Sequence, residues 1–443
     1  MSDNKRKTPA TERNADGRPQ DDPSLTETGE ARRDFLIRLG KGSAGLALLG
    51  LGTETAVQGL FQRSSLASAV AAGIEGFSVE GKVEEFIYLN DRPLNGELPP
   101  HLLHDEVTPY SKLFIRNNGT PPARDSIDPA QWTLTVKGEA ASRQVSYSID
   151  ELKNKFENVT LQLWLECGGN GRAAFEPSPR GNQWSLGAIG CPEWTGIRLR
   201  DLLEDVGYDA DKAVYIGYKA ADAHLSGRPD LDAISRGCPM RKALEDQTII
   251  AWAMNGQAIP EQHGYPLRLI TPGFPGSASG KWLTEILIRD REHDGAKMTG
   301  YSYRVPGYPV APGTDVPKED MKVLEEMPVK SLITYPKTGV RAKLSERLKV
   351  AGKAWDGFGD VTALHVSIDY GATWQEAKLK APRNKFAWQS WEANIEFPTA
   401  GFYQVWAVAT NSRGESQPMR VPGWNPRGYG NNQAHHIDVQ VQA

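Results

Sequence analysis

The segment Cys167-Gly168-Gly169-Asn170-Gly171-Arg172 sets a single thiol at the head of a glycine-rich loop, with an arginine five residues on. Glycine admits backbone conformations and close approaches that a side chain would block, so a bulky ligand can reach the chain there. A neighbouring guanidinium lowers the pKa of a thiol and can bind an anion. The chemistry open to this pattern is that of a reactive or metal-binding thiolate beside an anion site. Taken alone, a lone cysteine is more often a small buried apolar residue, and that reading stands beside the first. Cys191 and Cys238 each precede proline in loops and read as structural. No C-x-x-C pair occurs, which excludes zinc ribbons, thioredoxin-like sites and c-type haem attachment. G-x-G-x-x-G and Walker patterns are absent too, so dinucleotide and P-loop chemistry has no support. Arg116, Arg427 and His263 are further polar candidates; singly, they read as surface arginines and a solvated loop histidine.

A strand must deliver Cys167 to its loop. Val159, Leu161, Leu163 and Leu165 alternate, predicting a strand that ends at Glu166-Cys167. Alternation over Trp132–Gly138 predicts another, and Ser148-Ile149-Asp150-Glu151 has the capping-box spacing that opens a helix to about Phe156. Leu199, Leu202, Leu203 and Val206 recur at helical spacing, with Gly207 as the stop. Ile249–Met254 and Leu267–Ile270 read as buried strands with Asn255-Gly256 turning between them. Strands and helices mix without a regular βαβ period, which makes the class α+β. From about Leu332 the pattern is all strand. Tyr370-Gly371 marks a hairpin and Phe402–Ala409 a long apolar strand, as in an immunoglobulin-like β-sandwich lacking its disulfide.

Composition limits the partners. With 39% hydrophobic residues and 12 Trp in 443 residues the chain can bury a large core, while a net charge of −4 excludes a general nucleic-acid footprint. Residues 1–69 divide into a polar tail and the run Arg32-Arg33-Asp34-Phe35-Leu36, followed by a modest apolar stretch from Ala44 to Leu51. That run resembles a twin-arginine export signal, with Ala67-Ser68-Ala69 as a small-residue cleavage site. The apolar stretch is too short to span a bilayer, so no stable membrane anchor is expected. Cleavage there would leave 41 basic and 46 acidic groups, a net charge of −5. Any anion site must then be built locally.

Beyond these patterns, the sequence resembles the sulfite oxidase family of molybdenum enzymes. The resemblance rests on Cys167-Gly168-Gly169-Asn170-Gly171-Arg172, Trp184, Gly187–Gly190, Trp194–Leu203, Met254–Gln257, His263–Arg268, Gly280-Lys281-Trp282 and Trp424–Gly428, in the family's order. Within the family the likeness is to its periplasmic sulfane dehydrogenase branch. The resemblance implies a molybdopterin domain over residues 70–330 and a dimerising β-sandwich over 331–443. It implies a molybdenum-molybdopterin cofactor whose metal takes Cys167 as its protein ligand, a role that suits a soft thiolate donor. Arg116, Arg172 and Arg427 match an anion pocket for the sulfur substrate, Trp184 its aromatic wall, and Tyr303, rather than Tyr301, its tyrosine. Asn117, Asn118, His263, Arg268 and Lys281 match positions around the pterin and its phosphate, with Ser279 and Gly280 lending backbone contacts; Asp222 is a looser match.

Further implications are oxidation of sulfane sulfur on a carrier protein, or of free sulfite, and a homodimer formed through the C-terminal domain. With no haem motif in the chain, electrons would leave to a c-type cytochrome. Two departures stand out. Asn118 replaces the family's histidine, and Gly171 replaces an arginine, which points to a roomier and less cationic site.

Overall fold

A computed structural model describes residues 77–443 of the chain. The export motif, the apolar stretch after it and the 67–69 cleavage site lie outside the described residues.

Two five-stranded sheets frame the first part of the chain. In one the order is Gly237–Pro239, Tyr215–Ala220, Leu283–Arg289, Thr133–Lys137 and Val145–Ser148. Its one parallel pairing joins Leu283–Arg289 to Thr133–Lys137. In the other, Gln257–Ala258, Ile249–Met254, Glu193–Arg198 and Asn158–Gln162 run in sequence, and Arg268–Ile270 also pairs with Ile249–Met254. The Asn255-Gly256 turn uses two positive φ values, 52° and 74°, as a tight hairpin requires. It leads first into the short strand Gln257–Ala258, and Arg268–Ile270 returns to the same neighbour farther along.

The helices sit where their caps place them. Ser148 and Glu151 make both bonds of the capping box at the head of Ile149–Lys155. Leu199–Val206 buries Leu199, Leu202, Leu203 and Val206 in a core shared by both sheets and stops at Gly207, φ 74°.

The strand expected over 159–166 is two strands. Asn158–Gln162 lies in the second sheet, whereas Leu165–Glu166 pairs with Ile189–Gly190 in a separate ribbon. Between them the backbone N–H of Leu163 donates to Pro192 and that of Trp164 to Phe386, so tertiary bonds replace the ladder. The alternation does not survive the break: Gln162 to Glu166 are all buried. The break also re-aims the chain, and Cys167 follows directly from the ribbon.

Residues 330–442 form two facing sheets. One orders Lys330–Tyr335, Leu348–Trp355, Gln389–Ile395 and Lys378–Leu379; the other orders Val340–Lys343, His435–Gln442, Gly401–Asn411, Val361–Ser367 and Gln375–Glu376. Val350, Trp391, Leu364, Val405 and Ile437 from both sheets share one core, and no disulfide crosses it. The class is α+β with an immunoglobulin-like sandwich. Trp355, Phe386 and Trp388 of the sandwich pack into the same apolar cluster as Trp164, Leu165 and Cys167.

Candidate active site

Cys167 is buried on the wall of a cleft that Leu113, Phe114, Leu165 and Trp282 line on its apolar side. The same wall carries Arg116, Asn118, Asp222, His263, Arg268, Ser279, Lys281 and Tyr303. Residues spread over nearly 190 positions of sequence meet because the ribbon, the strand Ile115–Arg116 and the strand Arg268–Ile270 all end here. Cys167 N–H donates to Ala188 at 2.9 Å, and its carbonyl accepts from Asn170 N–H at 2.8 Å, closing a turn at the thiol.

The wall is strongly cationic. Asp222 is the only carboxylate among the lining residues, against the basic side chains of Arg116, Arg268 and Lys281. Lys82 and Lys297 stand just behind them. Lys82 Nζ lies 3.3 Å from His263 Nε2 and donates to Leu113 O at 2.7 Å; Lys297 Nζ donates to Asn118 Oδ1 at 2.7 Å. Burial pushes the Lys82 ammonium down to about 7 and, with help from Arg116, that of Lys297 to about 8. Burial, reinforced by the neighbouring cations, takes Lys281 and His263 well below their ordinary values, so His263 is neutral. Burial presses on Arg268 too, but a guanidinium stays charged. Its Nη1 donates to His263 O at 2.9 Å, while its buried Nε has no partner.

Crowded, desolvated cations with one orphaned donor are the arrangement a polyanionic ligand would satisfy. Among the described residues no three His, Cys, Asp or Glu side chains gather as a metal cage. A metal at Cys167 would therefore draw its other ligands from a bound organic group. These residues fit a molybdenum bound to an anionic pterin dithiolene.

Behind this wall stands a stack. Tyr303 and Tyr429 lie nearly parallel, ring centroids 5.2 Å apart. Arg236 sits 4.7 Å from the Tyr303 centroid on one flank, and Arg172 5.0 Å from that of Tyr429 on the other. Arg116 Nη2 donates to the Tyr303 hydroxyl at 3.4 Å and to Asn118 Oδ1 at 3.0 Å. Tyr301 points elsewhere, donating to Val316 O at 2.8 Å, so Tyr303 is the tyrosine on the cleft.

Arg172, Arg427 and Trp184 are outside the lining set. Arg172 donates to Arg427 O at 2.6 Å and to Asn182 O at 2.7 Å. The Arg427 guanidinium lies 5.9 Å from the Tyr301 ring centroid, and Trp184 is fully buried, edge-on to Phe114. Asn117 does not line the cleft; its side chain accepts from Lys281 and donates to Gln262. Gly280 lies against Tyr218, whose ring would be 2.6 Å from a Cβ there, and its carbonyl accepts from Leu269 N–H. Ser279 Oγ accepts from Thr271 N–H at 2.9 Å.

Two readings of the glycine loop need correction. A Cβ on Gly169 would lie 2.3 Å from the Arg172 guanidinium, so this glycine makes room for an arginine of its own loop, not for a ligand. At Gly171 the space is not vacant: φ is +86° and a Cβ would meet Asn431 Nδ2 at 2.8 Å. The site lacks a cation at 171 but is not roomier for it.

Cys191 and Cys238 are fully buried, and burial raises each thiol to about 12. Cys191 follows the strand Ile189–Gly190, while Cys238 sits inside the strand Gly237–Pro239 and not in the expected loop. Lys82, Lys297, Arg236 and Tyr429 carried no signal in the sequence, because nothing local to them marks the cleft.

Residues 118–297 match the family described as oxidoreductase molybdopterin binding domain, and 321–442 the Mo-co oxidoreductase dimerisation domain. Mouse mitochondrial sulfite oxidase is 31% identical over 366 residues, covering 80% of this chain and 65% of that protein. The chain thus spans about two thirds of the length of its mammalian relatives. Chicken sulfite oxidase is 31% identical over 351 residues, with 76% and 74% coverage. The crystal structure of the sulfane dehydrogenase SoxCD from Paracoccus pantotrophus shares the fold, with a TM-score of 0.65 at 22% identity over 90% of this chain and 96% of that one. With a relative this similar over three quarters of its length and a cleft of matching chemistry, the chain belongs to the sulfite oxidase family of molybdenum oxidoreductases, with molybdenum-molybdopterin as its cofactor.

Proposed function

We propose that the protein oxidises sulfane sulfur bound to a carrier protein, as the molybdenum subunit of a sulfane dehydrogenase. The observation that carries the reading is Cys167 on a cation-lined cleft, with Arg116 and Tyr303 beside it. When bound, molybdenum-molybdopterin supplies oxygen-atom transfer and two-electron redox chemistry. The chain's own residues do the rest. Cys167 holds the metal as a thiolate. His263, Arg268 and Lys281, backed by Lys82 and Lys297, hold the anionic pterin. Arg116 orients an anionic sulfur group and stabilises charge as it is oxidised, with its guanidinium kept in place by Asn118 and Tyr303. Arg172 adds positive potential from behind Tyr429.

The missing cation at Gly171 favours a singly charged thiosulfonate-like group over a small dianion. The likeness to sulfite oxidases favours the second reading, oxidation of free sulfite. Electrons would pass to a c-type cytochrome, and residues 321–442 would pair two copies of the chain. We place the protein in the periplasm, exported folded. Among the described residues no helix is long and apolar enough to cross a membrane. Changing Arg32→Lys with Arg33→Lys should then leave precursor in the cytoplasm.

The functional test is a substrate panel with the metal-loaded protein and cytochrome c as acceptor. Carrier-bound sulfane should show a higher kcat/KM than free sulfite. Efficient sulfite oxidation with carrier-bound sulfane ignored would hand the function to the second reading.

A further inference from the structure

Glu166, the residue before Cys167, is fully buried. Lys330 Nζ donates to its Oε1 at 2.5 Å, Asn170 Nδ2 to the same oxygen at 2.9 Å, and Trp355 Nε1 to Oε2 at 3.0 Å. Two of these donors come from the sandwich, where Lys330 and Trp355 stand directly opposite each other on paired strands. The third belongs to the cysteine loop itself. Asn170 Oδ1 accepts from Ala188 N–H at 3.1 Å, and Ala188 O in turn accepts from Cys167 N–H. One carboxylate therefore joins the thiol's loop, the ribbon strand beside it and the C-terminal sandwich.

Stability is a poor explanation for this cluster, since a buried ion pair is often no better than apolar residues of the same shape. Three fixed donors on a carboxylate do something apolar packing does less well: they set an orientation. Groups around a metal ligand tune it in this way, through the direction of the donor atom and the field across it.

We propose that Glu166 is a positioning residue that aims the Cys167 side chain, and that Lys330 and Trp355 make the sandwich part of the metal site as well as a dimerising module. The proposal rests on Cys167 being the molybdenum ligand.

The test uses the full, metal-loaded chain carrying Glu166→Gln with Lys330→Met, which removes both buried charges together. Trp355→Phe, which removes one donor, is the milder second variant. Readouts are molybdenum content, thermal unfolding, the thiolate-to-metal absorption band and the Mo(V) electron paramagnetic resonance spectrum. In the double variant the band and spectrum should shift while metal is retained. Turnover should fall about tenfold in kcat with KM within about twofold, as for other residues that support a metal ligand. Trp355→Phe should shift the spectra in the same direction by less, and decides the matter should the double variant not fold. Unaltered spectra in a folded, loaded Glu166 variant, or in Trp355→Phe when the double variant does not fold, would overturn the proposal, leaving Glu166 merely structural. Cys167→Ser, run alongside, separates the two claims: an unaltered spectrum there would remove the ligand assignment itself, and the proposal with it.

Discussion

Asn431 Nδ2 donates to the carbonyl of Gly171 at 2.7 Å and stands where a side chain on residue 171 would have to go. One residue earlier, Gly430 N–H donates to Gly168 O at 3.0 Å. The connection between the sandwich strands Gly401–Asn411 and His435–Gln442 is thereby fastened over the cysteine loop, and it brings Tyr429 onto Tyr303. The glycine at 171 is part of that fastening.

Gly171→Arg should accordingly loosen the loop instead of simply narrowing substrate preference. The left-handed backbone and the displaced Asn431 together should cost about 2–4 kcal/mol of stability, with activity lost on carrier-bound sulfane and sulfite alike. Asn431→Ala, which removes one bond, should cost only about 1 kcal/mol. Chemical denaturation of both variants checks the ordering.

Arg116 and Arg427 were equal candidates by sequence, but they are not equal in place. Arg116 is on the cleft with Cys167, whereas the Arg427 side chain lies over Tyr301. Arg116→Ala should reduce kcat/KM about 100-fold or more, the scale for losing a charge-stabilising donor, and Arg427→Ala should reduce it less. Tyr303→Phe should impair turnover while Tyr301→Phe leaves it near wild type. Steady-state kinetics of the four variants tests the placement.

How much of this was readable before the structure depends on how local each signal is. Ser148 and Glu151 are three residues apart, and the capping box they announce is present. Gly207 and Tyr370-Gly371 act on their immediate neighbours, and both turn the chain as expected. The Cys167 loop was legible for the same reason. The split after Gln162 was not, because Trp164 bonds to Phe386, more than 200 positions away. Lys82 and Lys297 become site residues only when folding brings them behind His263 and Asn118. The purpose of Gly169 needed the path of the Arg172 side chain.

The cation cluster has a pH signature in the cofactor-free protein. Burial holds Lys82 near 7 and Lys297 near 8 in the folded state, against 10.5 for an ordinary lysine. Above pH 7 the unfolded chain therefore binds more protons than the folded one, and unfolding free energy rises with pH until the unfolded lysines also titrate. A bound polyanion restores these protons and removes the slope. Tm of the cofactor-free protein should rise relative to that of the loaded protein between pH 7 and 9; parallel curves would contradict the cluster's role.

The central claim is that Cys167 is the protein's ligand to molybdenum, and the most direct measurement is turnover of Cys167→Ser with its molybdenum content determined on the same sample. Serine nearly matches cysteine in size but offers a harder oxygen donor. The variant should fold, with a Tm close to wild type, and should lose turnover of both carrier-bound sulfane and sulfite. Wild-type turnover at normal molybdenum content would contradict the account.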